Sequence, residues 1–235
     1  MKADAQFIAA SPIAVPAYLT QTYWWAYVHP GAIRVFERQW LVNLILWGNF
    51  GRLRDAALRA LGSGLEGRTL QIACVYGDLT KRLLQALPDG GQIDVVDVLP
   101  AQLDNLARKL PRKGGVGLIH GDSAALGIDS ASYDRALLFF LLHEQPDEVR
   151  RRTLAEALRV VKPGGRLVIV DYHRPGRLNP LFWPMVGVLR TLEPFAMDLW
   201  EHAVSEWFPA DAPIAGIEKT TSFGGLYQLL TITKN

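Results

Sequence analysis

The stretch Leu70–Thr80, with the sequence LQIACVYGDLT, constrains the fold of this chain more than any other segment. Its apolar first half predicts a buried strand, and Gly77 predicts a tight turn behind that strand. Leucines then recur at 79, 83, 84 and 87, which is the spacing of one helical face. A strand, a turn and a helix in this order are typical of the first unit of a nucleotide-binding α/β sheet, where N–H groups at the helix N-terminus meet the ligand.

The turn is nevertheless poor in glycine for a nucleotide-binding loop. It contains Gly77 alone, whereas such loops usually carry about two or three glycines. Val75 and Tyr76 stand at positions where the ligand normally approaches the backbone. The loop by itself is therefore compatible with an ordinary strand-to-helix turn as well as with a ligand site.

The segments that follow alternate between strand and helix patterns. Apolar strands are predicted at 92–96, 117–120, 133–140 and 166–172, and helices at 99–110 and 147–161. Repeated strand–helix units of this length predict a mostly parallel sheet with right-handed crossovers, so the fold class is α/β and Rossmann-like. The chain then closes with two strand patterns around Gly224-Gly225, which predict a C-terminal antiparallel hairpin.

Residues 1–64 are predicted to form a separate unit before the sheet domain of residues 65–235. Its N-terminal arm carries a dense group of aromatic rings: Tyr18, Tyr23, Trp24, Trp25 and Tyr27, followed by His29-Pro30. Helices are predicted at 32–49 and 51–61, and the segment 41–47 is apolar nearly all round. Such a helix must be covered by protein, ligand or lipid. It either packs against the main domain or forms a lid over an apolar substrate, with aromatic side chains that can touch a membrane.

Residues 175–213 interrupt the α/β pattern and are rich in proline and aromatic residues. Helix patterns at 181–192 and 196–207 within this segment predict a cap insert on the sheet domain. A cap insert and an N-terminal arm together are expected to close an apolar substrate off from water.

The composition restricts the class of protein. The chain has 235 residues, 49% of them hydrophobic, which is typical of a globular protein with a large core. Its 25 basic and 23 acidic residues give a formal net charge of +2, so the charge does not indicate a nucleic-acid partner.

Two further features bear on the compartment. Cys74, which is predicted to lie inside the first strand, is the one cysteine, so the chain forms no internal disulfide and a reducing compartment fits. Prolines at 12, 16 and 30 interrupt the uncharged segment 5–33 and argue against a membrane-spanning helix or a signal peptide. We expect a cytoplasmic protein that is peripheral on the inner (cytoplasmic) membrane.

Two acidic residues follow predicted strands at the edge where such sheets bind ligands. Asp97 ends the second strand, where an ionised carboxylate can accept hydrogen bonds from both hydroxyls of a ribose. A helix N-cap before Pro100 is the structural alternative. Asp122 follows the third strand and is placed to accept the exocyclic amine of an adenine, or to form a simple Asx turn.

A second group of polar residues follows the fourth and fifth strands. His143 and Glu144 come after the apolar run 139–142, and Asp171 and His173 come at the end of strand 166–172. Neighbouring parallel strands end at the same crevice, so these four side chains are expected to converge. Imidazole and carboxylate groups together suit either a divalent ion such as Mn²⁺ or Mg²⁺ or a general acid–base pair.

Four motifs lie along this pattern: Gly77-Asp78-Leu79-Thr80, Gly121-Asp122-Ser123-Ala124-Ala125-Leu126, Tyr133-Asp134, and the run LRVVKPGGRL at 158–167. They resemble those of class I S-adenosylmethionine-dependent methyltransferases, most of all the C-methyltransferases of ubiquinone and menaquinone synthesis. The resemblance covers about residues 68–175. It implies a class I methyltransferase fold and S-adenosylmethionine as a ligand. The implied binding residues are Val75, Tyr76, Gly77, Asp97, Val98, Asp122, Ser123 and Phe139.

The first loop departs from that family. Gln71 stands where the family has an acidic residue, and Cys74-Val75-Tyr76 replaces its glycine pair and threonine. The run from Val75 to Thr80 instead resembles the rhodoquinone biosynthesis proteins, a family of methyltransferase relatives. This resemblance implies S-adenosylmethionine as an amino donor, Mn²⁺ as a cofactor, and replacement of a methoxy group of ubiquinone by an amino group. It also places Tyr76 beside the methionine moiety.

On this basis Tyr76, His143 and His173 are the candidate catalytic residues. The candidate metal ligands, chosen by their position at strand ends, are His143, Asp171 and His173. The expected partners are S-adenosylmethionine and a ubiquinone-like lipid quinone, with peripheral membrane contact. Two alternatives stay open: an ordinary quinone or phenol methyltransferase, and a non-catalytic protein that binds S-adenosylmethionine or a quinone.

Overall fold

The computed structural model describes residues 6–8, 13–24, 30–111 and 115–235. In these residues the strands are β1 (Gln6–Ile8), β2 (Arg68–Ile72), β3 (Gln92–Asp97), β4 (Val116–His120), β5 (Tyr133–Phe139), β6 (Val161–Tyr172), β7 (Ile214–Ser222) and β8 (Tyr227–Lys234). The helices are α1 (Ala17–Thr22), α2 (Pro30–Phe36), α3 (Gln39–Ile45), α4 (Phe50–Leu61), α5 (Leu79–Ala86), α6 (Pro100–Lys109), α7 (Asp147–Val160), α8 (Phe182–Leu192) and α9 (Asp198–Glu201).

The described strands form one sheet in the order β1-β4-β3-β2-β5-β6-β8-β7. Strands β1 to β6 pair in parallel, while β8 runs antiparallel to both β6 and β7. The predicted Rossmann-like fold with its C-terminal hairpin is therefore confirmed. The order reverses between β2 and β5, which creates a crevice at the carboxyl ends of these two strands.

Two apolar layers cover the two faces of the sheet. Successive residues of β5 point to opposite layers, so Leu137 and Phe139 join one core cluster while Leu138 joins the other. Helix α4, from the N-terminal unit, contributes Phe50 and Leu53 to the first cluster. This half of the N-terminal unit is thus part of the main core. Of the apolar segment 41–47, for which core packing and a lid were the two interpretations, only Leu46 is buried in the core. The division of the chain at residue 64 stays a prediction.

The predicted helix over 32–49 is wrong in one respect: the segment forms two helices, α2 and α3, with a break at Glu37-Arg38. Arg38 is extended, with ψ of 115°, and ends the first helical run. The cause lies in tertiary contacts of Glu37, whose carboxylate accepts the N–H of Gly77 and the ammonium of Lys109. Helix periodicity could not show a break that distant residues impose.

The predicted helix over 196–207 also divides, into α9 and a separate 3₁₀ turn over Val204–Trp207. His202 is extended between them, and the Glu206 carboxylate accepts the N–H of Ala203 at the start of the turn. Cys74 was expected inside the first strand, but it lies in the turn after β2, where its N–H donates to Asp97.

Some features of the N-terminal arm were not predicted from the sequence, and others lie outside the described residues. The arm contributes α1 and the edge strand β1, neither of which the sequence pattern predicted. Trp25, Tyr27 and His29 of the predicted aromatic cluster lie outside the described residues. No helix in the described ranges combines the length and the apolar character needed to cross a bilayer.

Arg150 is a fully buried guanidinium on α7 that holds three separate segments together. Its Nε donates to the carbonyl of Leu142, and its Nη2 donates to the carbonyls of Gln145 and Phe195, at 2.8 to 3.0 Å. The guanidinium also lies over the ring of Trp207, 4.4 Å from its centroid. This residue therefore fixes the turn after β5 against the cap insert.

We expect Arg150→Met to lower the free energy of unfolding by about 3 kcal/mol, because it leaves buried carbonyl groups without a hydrogen-bond donor. Urea unfolding measures the change. Arg152→Met is the matched control on the same helix, because that side chain is 56% exposed and should change stability by less than about 0.5 kcal/mol. Equal effects of the two substitutions would contradict this role for Arg150.

Candidate active site

A cavity of about 670 Å³ opens at the carboxyl ends of β2 to β6. Its floor is formed by the residues that follow these strands, and its walls are formed by the arm, α3 and α8. Eight of the predicted site residues line it: Val75, Tyr76, Asp97, Val98, Asp122, Ser123, Phe139 and His143. Most of the remaining lining is apolar, so the cavity suits a ligand with a large hydrophobic part.

The first loop begins with a left-handed residue. Ala73 has φ of +72°, its N–H donates to the carbonyl of Val96, and its own carbonyl accepts the amide of Gln71. The other end of the Gln71 amide accepts the hydroxyl of Thr80 at 2.8 Å. Gln71, which departs from the methyltransferase pattern, is therefore a buried tie across the loop and does not line the cavity.

Asp97 spans the gap between the first loop and the start of α6. One carboxylate oxygen accepts the N–H of Cys74 at 2.7 Å, and the other accepts the N–H of Leu99 at 2.8 Å. Burial raises the pKa of Asp97, while the two N–H groups favour the ionised form. Each oxygen keeps a lone pair for a further donor, which is what a ribose diol supplies.

Asp122 and Ser123 follow β4 on the same side of the cavity. One oxygen of Asp122 accepts the N–H of Ala124 at 2.9 Å, which is the Asx turn expected as its structural alternative. The hydroxyl of Ser123 lies 3.0 Å from both Thr153 Oγ1 and Gln145 Nε2. Both side chains are thus fixed by local hydrogen bonds while they face the cavity.

Tyr76 is held by two contacts that the sequence did not reveal. Its hydroxyl accepts the side-chain amide of Gln102 at 2.7 Å, and its ring stacks on Phe36 with centroids 6.0 Å apart. Burial raises the pKa of the Tyr76 phenol, so this hydroxyl is neutral at physiological pH. The ring occupies the space that a glycine in the loop would leave open for the ligand.

Gly77 faces away from the cavity and binds the segment between α2 and α3 instead. Its N–H donates to Glu37 at 3.2 Å, and Asn105 and Lys109 donate to the same carboxylate at 2.6 and 2.7 Å. Gly77 has φ of +85°, and a Cβ there would lie 2.8 Å from Gln39 Oε1, so only glycine fits. The pair Phe36-Glu37 therefore clamps the pair Tyr76-Gly77.

His143 and Asp171 form a buried dyad below the cavity floor. The Nδ1 of His143 lies 2.9 Å from one oxygen of Asp171, and the other oxygen accepts the N–H of Leu142 and of His143. Asp171 has no exposed surface, whereas the His143 ring reaches the cavity. The carboxylate thus fixes the ring and directs Nε2 away from it.

Two more carboxylates face the Nε2 of His143. Glu144 lies 3.7 Å away and Glu193, at the end of α8, lies 4.0 Å away. Burial alone would lower the pKa of His143, but the charges of Asp171, Glu193 and Glu144 outweigh it and raise the pKa to about 9. His143 is therefore an imidazolium at neutral pH. In this form it can donate a proton or stabilise a negative charge.

The predicted metal site is not assembled. His173 does not line the cavity, and its Nδ1 lies 2.7 Å from the carbonyl of Gly225 in the hairpin. In the described ranges no three side chains of His, Cys, Asp or Glu are arranged to hold a metal ion. The donor set His143, Asp171 and His173 therefore does not fit Mn²⁺, because the first two bind each other and the third is turned away. The same geometry removes His173 from the candidate catalytic residues.

Glu193, Tyr18 and Glu37 were not predicted as site residues from the sequence. Glu193 carried a signal, because it is the only acidic residue in the segment 178–195, directly behind an apolar helix pattern. Burial raises the pKa of its carboxyl, and the positive charge of His143 opposes this shift. Tyr18 lines the cavity with its pKa raised by burial, but nothing in its sequence context distinguishes it from the other aromatic residues of the arm.

Residues 69–165 match the family described as a methyltransferase domain. Over this stretch, which is less than half of the chain, the sequence is similar to methyltransferases of the class I, S-adenosylmethionine-dependent type.

Among the similar curated proteins are C-methyltransferases of quinone biosynthesis. The chain is 27% identical to the ubiquinone/menaquinone biosynthesis C-methyltransferase UbiE of Ectopseudomonas mendocina over 77% of each chain. It is 28% identical to a demethylmenaquinone methyltransferase of Staphylococcus aureus over 57% of this chain and 55% of that protein. The chain thus spans about half the length of the second relative.

Solved structures share the fold at low identity. Human N-acetylserotonin methyltransferase in complex with S-adenosylmethionine superposes with a TM-score of 0.62 at 15% identity, over 94% of this chain and 60% of that one. The [4+2]-cyclase SpnF superposes with a TM-score of 0.55 at 18% identity, over 78% of this chain and 80% of that one. At these identities the likeness concerns the fold alone.

We expect Glu37→Gln to loosen the first loop, because glutamine loses the ion pair with Lys109 while keeping an oxygen for the N–H of Gly77. A charge-assisted hydrogen bond contributes about 1.5 kcal/mol, so the amides of the loop should exchange roughly tenfold faster with deuterium. Glu218→Gln, on the exposed strand β7, is the control. Unchanged exchange at residues 74–77 in Glu37→Gln would contradict the clamp.

His143 also makes the stability depend on pH. Its pKa is raised from an ordinary 6.5 to about 9 by folding, so its contribution is complete below about pH 6.5 and is lost as the pH rises through 9. We therefore expect the stability difference between wild type and His143→Gln to shrink from pH 6.5 to pH 9 in urea unfolding. A difference that stays constant over this range would show that folding does not raise the pKa.

Proposed function

We propose that this protein transfers an amino group from S-adenosylmethionine to a ubiquinone-like quinone, replacing a ring methoxy group. The observation that carries the proposal is the combination of two features in one cavity. An aromatic residue, Tyr76, fills the loop where methyltransferases leave room for the ligand, and an imidazolium, His143, faces the same apolar cavity. A displaced donor and a positive charge near the acceptor suit this exchange better than an in-line methyl transfer.

S-adenosylmethionine occupies the strand-end side of the cavity in this proposal. Asp97 accepts the two ribose hydroxyls with the lone pairs that Cys74 and Leu99 leave free. Asp122 accepts the adenine amine, and Ser123 and Val98 lie beside the base. Tyr76 prevents the methionine end from lying along the loop, so the amino group rather than the methyl group points toward the quinone.

The quinone ring lies against the polar end of the cavity. His143, Glu144 and Glu193 form that end, and the aromatic rings of Phe139 and Phe140 line the wall beside it. The charged Nε2–H of His143 donates to a quinone oxygen and stabilises the negative charge that develops there, which is the role of an oxyanion donor. The apolar remainder of the cavity receives the start of the isoprenoid tail.

The proposed reaction begins with addition of the amine to the electrophilic ring carbon that bears methoxy. A C–N bond forms, the C–O bond breaks, and the proton lost from nitrogen leaves with methoxide as methanol. Glu144 or Glu193 takes that proton from the amine and passes it on. The Cα–H bond of the donor breaks next: its two electrons reduce the quinone ring, its proton goes to a quinone oxygen, and an imine forms between nitrogen and Cα. Water then hydrolyses the N–Cα bond of this imine, which leaves an aminoquinol and a 2-oxo acid.

A second candidate is favoured by the similar curated proteins, which are quinone C-methyltransferases. In that case Asp97 and Asp122 hold S-adenosylmethionine as above, and the methyl group is transferred to a quinol carbon. The ring of Tyr76 in the first loop is the feature that this alternative leaves unexplained.

The decisive experiment incubates the purified protein with S-adenosylmethionine labelled with ¹⁵N at its amino group and, in separate reactions, with ubiquinone or with a quinol that has an unsubstituted ring carbon. Mass spectrometry then distinguishes the candidates, because methylation raises the mass of a quinone and exchange of methoxy for amino lowers it. The expected result is a labelled aminoquinol, or the aminoquinone that forms from it in air, in the reaction with ubiquinone. Parallel reactions with Mn²⁺ and with a chelator test the metal dependence that the family resemblance implies. Unlabelled, unchanged quinone despite S-adenosylmethionine binding would reject amino transfer.

We further expect Tyr76→Thr to reduce amino transfer by at least about tenfold while it changes S-adenosylmethionine affinity much less. The reason is that the ribose and adenine contacts at Asp97 and Asp122 lie on other strands and survive the substitution. Calorimetry and turnover measure the two quantities, with Tyr133→Phe as a control tyrosine outside the cavity. Equal losses of affinity and turnover would contradict a specific role for Tyr76.

A further inference from the structure

We propose that an apolar rim on α3, the turn that follows it, and α8 docks on an anionic lipid bilayer, so that the mouth of the cavity faces the membrane. The apolar rim consists of Trp40, Leu44, Trp47, Trp183, Val188 and Leu192. This inference rests on the proposed function only for the identity of the lipid that enters the cavity.

The rim carries large apolar side chains that are open to solvent. Trp40 is 61% exposed, Leu44 64% and Trp183 72%, although each is large enough to anchor a protein core. Helix α3 has no buried residue of its own, which is unusual for so apolar a segment. A solvent-exposed apolar surface of this kind marks a binding site for another apolar surface, such as a protein or a membrane.

The rim is continuous with the cavity. Leu44 and Trp47 on one side, and Val188 and Leu192 on the other, line the cavity while they also reach solvent. The indole N–H of Trp47 donates to the sulfur of Met185 at 3.3 Å and joins the two halves. The rim is therefore the mouth of the cavity, and a lipid tail can leave the site between α3 and α8.

The charges that border the rim are complementary to an anionic membrane. The segments 39–51 and 178–189 contain no Asp, Glu, Lys or Arg. Exposed arginines stand at both ends of each: Arg38 and Arg52 around the first, Arg177 and Arg190 around the second. A basic residue near an anionic surface contributes about 1 kcal/mol to binding.

A bilayer explains this arrangement better than a protein partner. Exposed tryptophans beside cationic side chains are typical of segments that lie in the lipid interface. The two helices have seven and eleven residues, so they can lie in the interface but not cross it. A protein seated on the rim would close the mouth of the cavity, whereas a bilayer supplies a lipid substrate through it.

The test is sedimentation of the full chain with phosphatidylcholine vesicles, with and without phosphatidylglycerol, in the absence of quinone and S-adenosylmethionine. The variant is Trp40→Ser with Trp183→Ser, because neither side chain lines the cavity. Ile217→Ser is the matched control, an exposed apolar residue on β7 that is 39% exposed. Circular dichroism confirms that the variants are folded.

We expect wild type and Ile217→Ser to bind the anionic vesicles, and the double tryptophan variant to bind them at least about tenfold more weakly. Arg177→Gln with Arg190→Gln should reduce the preference for phosphatidylglycerol. Three results would overturn the proposal: wild type that ignores vesicles, a tryptophan variant that binds like wild type, or a variant whose only change is loss of self-association.

The same samples separate this proposal from the proposed function. Vesicle binding without quinone conversion would leave the docking surface intact and reject the reaction. A tryptophan variant that converts a short-tailed, water-soluble quinone normally but fails with a long-tailed quinone in vesicles would support both.

Discussion

The structure depends most on the carboxylate of Asp171, a fully buried charge at the end of β6. It accepts the N–H groups of Leu142, His143 and Tyr172 and binds the imidazole of His143, so every lone pair has a partner. A buried charge without such partners would cost several kcal/mol. This requirement fixes the turn after β5 against β6 and thereby sets the position of the polar end of the cavity. The apolar walls of the cavity and the first loop surround this polar end.

Three carboxylates around one imidazole give the cavity an unusual electrostatic character. Asp171 binds one nitrogen of His143, and Glu144 and Glu193 face the other. In an apolar surrounding these charges interact more strongly than they would in water. The arrangement keeps a proton on the ring and two proton acceptors beside it. One cavity can therefore stabilise an oxyanion and accept a proton without a large change in its structure.

The fold was predictable because β-strand and helix periods repeat with little interruption between Arg68 and Tyr172. The position of Asp97, Asp122 and His143 at the cavity was predictable for the same reason, since parallel strands end at a common edge. The predictions that were wrong, for His173 and for the helix at 32–49, failed for another reason. His173 follows the same strand as Asp171, but the hairpin carbonyl of Gly225 holds its ring elsewhere. Glu37, which sequence analysis did not select, breaks a helix because of contacts with α6 that lie far away in sequence. Contacts of this kind are set by tertiary packing and leave no periodic trace.

The clamp of Phe36-Glu37 on Tyr76-Gly77 links two equilibria that are otherwise separate. Any ligand that orders the first loop also favours the docked position of α2, and docking of α2 favours ligand binding by the same free energy. Three side chains of α6, Gln102, Asn105 and Lys109, lie on one helical face and serve both partners of the clamp. Docking of Phe36-Glu37 over the cavity and binding of a ligand at the first loop therefore favour each other. An enzyme built in this way would assemble its water-free chamber only after the first substrate is in place, which imposes an order on binding.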